Sequence, residues 1–140
     1  MNIFDIMGPV MVGPSSSHTA GAARIGYIGR KLLGFQPARA DIGLHGSFAA
    51  TGPGHGTDKA IVAGLLGMGP DDPRIPFSFQ LAKEAGLEVN VHPVTLRDAH
   101  PNTAVMTLTG SRGRTVEVSA SSLGGGRIRV NSIDGLEAAF

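Results

Sequence analysis

The stretch TAVMTLTGSRGRTVEVSASS, Thr103–Ser122, alternates apolar and polar residues on both sides of a short polar break. A period of two is what a strand with one buried face requires, because successive side chains leave opposite faces. Gly110–Gly113 reads as the hairpin turn between the two runs. LEVNVHPV (Leu87–Val94) alternates in the same way upstream, and GRIRVNSIDG (Gly126–Gly135) completes a set of four strands. The first half has a different period. Ala22, Ile25, Ile28 and Leu32 recur at spacings of three or four, which predicts a helix from Ser17 or His18 through Leu33 with Gly34 as its C-cap. ARADIGLHGSFA (38–49) alternates loosely and reads as a strand. A second helix is expected from near Thr57, ending by Gly69, with Asp58 favourably placed in its first turn. PDDPRIP is a turn-rich connector, and PFSFQLAKEAG a third helix or short helical segment. Helices early and a strand meander late predict an α+β fold: a mixed, largely antiparallel sheet with two or three helices packed on it.

Residues 1–14 read as a lead-in broken by Gly8-Pro9 and Gly13-Pro14. The 140 residues amount to one domain, long enough to bury a core unaided. A hydrophobic share of 41% against 16% charged argues against a disordered tail. The net charge of +1, with no Lys/Arg run, gives no footprint for nucleic acid or a membrane surface. No apolar run approaches the roughly 18 residues of a membrane span, and MNIFDIMGPV has no secretory pattern, so a cytoplasmic location is expected. Cysteine is absent, which excludes disulfides and thiolate metal ligands from this chain. Glycine, at 21 residues, is about twice its usual share and lacks a period, so it points to turns and close backbone approaches.

Four segments carry more polar chemistry than their local structure needs. GPSSSHTAGAARIG (Gly13–Gly26) sets Ser15, Ser16, Ser17, His18 and Thr19 at the head of the first helix. One serine suffices for an N-cap. The surplus, followed by small residues that leave helix N–H groups approachable, fits a carboxylate or phosphate site. TGPGHGTDKA holds His55 between glycines just before the second helix, either as a solvated loop residue or as a presented acid/base. DAHPNTAVM sets His100 and the rigid Pro101 before Asn102 and Thr103, which either bond a ligand or cap a turn. In SSLGGGRI three consecutive glycines fit a bulge or a backbone pressed against a ligand. Histidine is the usual acid/base near neutral pH. No HxH, HxxxH or carboxylate spacing accompanies these histidines, so a metal site built by this chain alone is not expected.

Together, GPSSSHTAGAARIG, GLHGSFAATGPGHGTDKA, HPNT and SLGGGRI resemble the beta domain, or beta chain, of bacterial iron-sulfur-dependent L-serine dehydratases. The resemblance runs from about Phe4 to Asp134 and rests on four separated motifs in order. The allosteric substrate-binding domain of some D-3-phosphoglycerate dehydrogenases is similar in fold and shares less of these loops. The resemblance implies conversion of L-serine to pyruvate and ammonia, with a 4Fe-4S cluster held by cysteines of an alpha chain or domain. One iron would act as a Lewis acid on the serine hydroxyl, and a base would take the α-proton. By the same resemblance Ser15, Ser16, Ser17 and Thr19 would contact substrate, with His100, Asn102 and Thr103 helping to hold it. His18 is the first candidate for an acid/base or orienting role, and His55 the second. Many two-chain members continue into an ACT domain, and fused members into the alpha domain. Residues 1–140 therefore read as a single beta domain and as a fragment, inactive alone and working in a homo- or hetero-oligomer. The alternative is a non-catalytic allosteric domain that binds serine or a small anionic metabolite.

Overall fold

The structure, a computed structural model, describes residues 16–50 and 56–137; the side chains of Ser16–His18 are outside that description. The lead-in at residues 1–14, Ser15 and His55 lie outside the described residues as well. Helix α1 spans Ser16–Leu33, β1 Arg39–Gly46, α2 Ser47–Ala50, α3 Thr57–Leu65 and α4 Ser78–Glu84, with a 3-10 turn at Ile75–Phe77. The strands that follow are β2 Glu88–Val94, β3 Asn102–Thr109, β4 Thr115–Gly124, β5 Arg127–Ile133 and the short β6 Leu136–Glu137.

The expected α+β architecture is the observed one, and two details differ from expectation. The strand read over 38–49 stops at Gly46. There the backbone turns to a φ of 63°, and Ser47 donates its N–H to the Pro101 carbonyl at 2.7 Å, so Ser47–Ala50 coils into α2. The second helix starts at Thr57 and ends at Leu65, within the limit expected at Gly69. Gly67, with φ 92°, donates to Gly64 O at 2.9 Å and Met68 to Ala63 O at 3.0 Å, the paired bonds that close a helix on a left-handed glycine. Two residues of β6 were not expected. The glycine run Gly124–Gly126, all at positive φ, is the turn between β4 and β5, with a register shift between Ser122 and Gly124 beside it.

The strands form one sheet in the order β2-β1-β3-β4-β5-β6. β1 and β2 are parallel, and every other pair is antiparallel. A parallel pair needs a crossover, and α3 and α4 supply it. One face is a continuous apolar row: Ile42 lies opposite Met106, and Met106 opposite Val118, all fully buried under the helices. The other face carries Asp41, Thr107, Glu117 and Ser119.

Helix α1 lies on β3 and β4 and crosses α3 at two glycines. A Cβ on Gly26 would sit on the Ile61 carbonyl oxygen, and one on Gly64 on the Ala23 carbonyl oxygen. Glycine is needed here because the two backbones touch. The helices run the same way: Gly26 meets Ile61, and four residues later Arg30 donates from its guanidinium to Leu65 O at 3.1 Å. Ala40, Ile42, Leu44, Phe48, Ile61 and Leu65 fill the core between the helices and β1.

Candidate functional site

The topology gathers the polar segments at one end of the domain. Gly21 abuts Ser122 near the end of β4, whereas Gly29 abuts Met106 and Leu108 on β3. The head of α1 therefore lies where β4 ends and β3 begins. Ala20 and Arg24 lie against Gly126 in the β4–β5 turn. Because α3 runs parallel to α1, its head at Gly56 and Thr57 lies at that same end. Here too Gly46 pairs with Asn102, and Pro101 presses on Gly46. The heads of two helices and the segment from His100 to Thr103 thus share one end, supplied by residues far apart in sequence.

The site residues do not all share one face of the sheet. Asn102 is half-buried and alternates with Thr103, so it belongs to the helix-covered face with Ala104. Thr103 belongs to the opposite face. Its side chain is fully buried, and its hydroxyl bonds His100 O at 2.7 Å and Ser121 Oγ at 2.7 Å. Asn131 donates from Nδ2 to Ser121 Oγ at 2.9 Å. His100 is exposed, and its Nδ1 accepts the Asn102 N–H at 3.0 Å. These groups line a half-open basin of about 610 Å³ on that face, with Ser119 and Arg129 among its other walls. Thr19 is half-buried in α1; Ser16, Ser17 and His18 enter only as backbone in its first turn.

Three residues with a part in this end were not singled out as site residues from sequence. Ser121 and Asn131 are tied to Thr103 as above. His45, at the end of β1, accepts the Leu96 N–H on Nδ1 at 3.0 Å and so pins the other end of the loop that carries His100. The alternation of β4 was the available signal for Ser121, since it places Ser121 on the face of Ser119. The surface pair of Asp41 and His92 at 2.9 Å joins β1 to β2 with both side chains 43% exposed, a geometry worth little to stability. Beyond the far end of α3, Arg74 binds Asp72 through side-chain and backbone N–H groups and holds its carboxyl down to about 2. No helix among the described residues is long and apolar enough to cross a membrane.

A family model for the serine dehydratase beta chain matches residues 2–85. The chain belongs to that family. It is 46% identical over 136 residues to a probable L-serine dehydratase beta chain of Bacillus subtilis, covering 97% of this chain and 61% of that one. It is 45% identical over 138 residues to the L-serine dehydratase beta chain of Peptoniphilus asaccharolyticus, covering 98% and 62%. A Mycobacterium tuberculosis L-serine dehydratase is 30% identical over 160 aligned positions, covering 96% of this chain and 34% of the relative. The chain thus spans about three-fifths of the length of the two beta chains and about one-third of the M. tuberculosis protein.

Beta-chain membership raises the question of an iron-sulfur cluster. The donor set does not fit one. The sequence has no cysteine, and among the described residues no three His, Asp or Glu side chains gather as a ligand set.

Proposed function

We propose that this chain is the beta part of an L-serine dehydratase, a single beta domain of a longer polypeptide or assembly. It supplies one wall of a shared active site for converting L-serine to pyruvate and ammonia. The observation that carries the reading is the meeting of the α1 head, the α3 head and the His100 loop at one end of the domain. Because this chain does not fit the 4Fe-4S cluster, a cysteine-bearing alpha chain or domain holds it and closes the site from the other side. The complex works in the cytoplasm, as a homo- or hetero-oligomer.

Each residue type suits a part of this task. Ser15, Ser16, Ser17 and Thr19 are assigned to the serine carboxylate, because hydroxyls and a helix N-terminus with partial positive charge suit an anion. In sequence His18 falls in the first turn of α1 and His55 two residues before α3, and these histidines are assigned the acid/base work. Asn102 and His100 bound the same end, and Thr103 fastens His100. The alpha partner completes the enclosure that keeps water from the reacting groups.

The test is reconstitution. This chain is mixed anaerobically with a cysteine-bearing alpha partner, and pyruvate formation from L-serine is followed. Turnover in the mixture, its absence in either part alone, and a fall of at least a hundredfold for His18→Ala with assembly intact support the reading. Unchanged turnover in His18→Ala with altered serine cooperativity favours the allosteric domain instead.

A further inference from the structure

The hydrogen bonds around Thr103 leave one arrangement of protons. The Thr103 hydroxyl gives its only hydrogen to the His100 carbonyl, so its oxygen must accept from Ser121. The Ser121 hydrogen is then committed, and its oxygen accepts the Asn131 amide N–H, as the identity of Nδ2 requires. Every hydrogen points one way: from Asn131 to Ser121, to Thr103, to His100. At the far end Asn102 donates its backbone N–H to His100 Nδ1. An imidazole nitrogen that accepts carries no proton, so neutral His100 bears its hydrogen on Nε2.

We infer that Ser121 and Asn131 are positioning residues: they hold the His100 loop so that His100 presents an Nε2–H donor at the basin. This assignment rests on the proposed function for its substrate and on hydrogen-bond geometry for the relay itself. His100 then acts as a hydrogen-bond donor to an acceptor oxygen such as a carboxylate, and proton abstraction falls to another group. Ser121 is 2% exposed, Thr103, which it steadies, is fully buried, and Asn131, half-buried, starts the chain of donors. Asn131 stands on this face because it follows Val130, whose buried side chain faces the helices, and β5 has one residue in excess beside it. Ser119 pairs with Ser132 and Ala120 with Val130, leaving Asn131 between.

Two measurements test the assignment. In the first, solvent exchange of the Asn102 amide is read by NMR on the full chain. Asn131→Asp keeps the size of the side chain and removes its donor, so Ser121 turns toward residue 131 and lets go of Thr103. Exchange at Asn102 is expected to rise at least fivefold in Asn131→Asp and Asn131→Ala. Ser119→Ala, in the same basin and outside the relay, is expected to stay within twofold of wild type. Thermal midpoints confirm that each variant is folded. Exchange unchanged in both Asn131 variants, or raised equally by Ser119→Ala, overturns the relay.

In the second, Asn131→Asp is assayed with the alpha partner. The expected result is a tenfold rise in KM for L-serine with kcat within threefold, since a contact held equally in ground and transition state shows in KM. A fall in kcat at constant KM overturns the donor role. If the wild-type mixture makes no pyruvate, the proposed function fails and the exchange result alone decides the relay.

Discussion

Replacing Gly26 by alanine tests whether the α1–α3 crossing is set by backbone contact. The added methyl would meet the carbonyl oxygen of Ile61 and also crowd the Leu65 nitrogen at 3.0 Å. Backbone atoms cannot rotate away, so the two helices must separate. Overpacking of a tight core costs about 1–3 kcal/mol, and a rigid neighbour puts this site at the upper end. Alanine returns about 0.5–1 kcal/mol through its better helix propensity. The net loss is about 2 kcal/mol. At about 2.1 cal/mol/K per residue, 140 residues give an unfolding entropy near 0.3 kcal/mol/K, so the midpoint should fall by about 7 °C. Gly29→Ala is the control in the same helix. Its methyl would meet Leu108 Cδ1 at 2.8 Å and Met106 Cε at 2.9 Å, the mobile ends of two side chains. Strain and propensity then nearly cancel, and the midpoint should move by less than about 2 °C. Differential scanning calorimetry on the two variants decides. Equal shifts, or a larger loss for Gly29→Ala, would refute the claim that backbone contact at Gly26 sets the helix spacing.

Phe48→Ala removes the largest buried side chain of α2, and should cost about 3–5 kcal/mol by chemical denaturation, enough to shift the urea midpoint markedly. Ser78 is fully buried and donates to Lys59 O at 2.8 Å, joining α4 to α3. Ser78→Ala leaves that carbonyl without its donor and should destabilise by about 1–2 kcal/mol, whereas Ser78→Thr should keep the bond and most of the stability. The Asp72 carboxyl, held at about 2 by Arg74 against an ordinary 3.8, is a group with a lowered folded value. Its contribution is present above pH 4 and is lost as pH falls toward 2. Asp72→Asn should therefore lie below wild type at neutral pH and merge with it only below pH 2, with the gap narrowing in 1 M salt. Thermal midpoints against pH read this directly; a gap that widens on acidification would reverse the assignment.

The long regular elements were legible because their periods were clean. Ala22 and Ile25 in α1 and the alternating rows of β3 and β4 are buried where the pattern put them, while Ile28 and Leu32 of the same pattern are half-buried. Helix α2 was hidden because Phe48 continues the inward rhythm of β1 and is buried either way; only the contact of Gly46 with Pro101 ends the strand. Two-residue β6 is too short for any period to show. At the site, the polar surplus before α1 and around His100 was visible, whereas its division between two faces was not. That division follows from β3 beginning at Asn102 instead of Thr103, one residue earlier than the alternation suggested. Asn131 follows the alternation from Arg129; what a uniform period of two could not express was the irregular pairing of β4 with β5 beside it.

Deleting Asn131 would bring Ser132 directly after Val130 and restore an even ladder opposite Ser119 and Ala120. The apolar layer under the helices would keep its partners, since Val130 and Ala120 stay matched. Ser121 would nonetheless face a vacancy where an amide had stood. A single codon thus separates the architecture from its chemistry: the sheet could lose that residue and remain a sheet, while the pocket on its uncovered side would go slack.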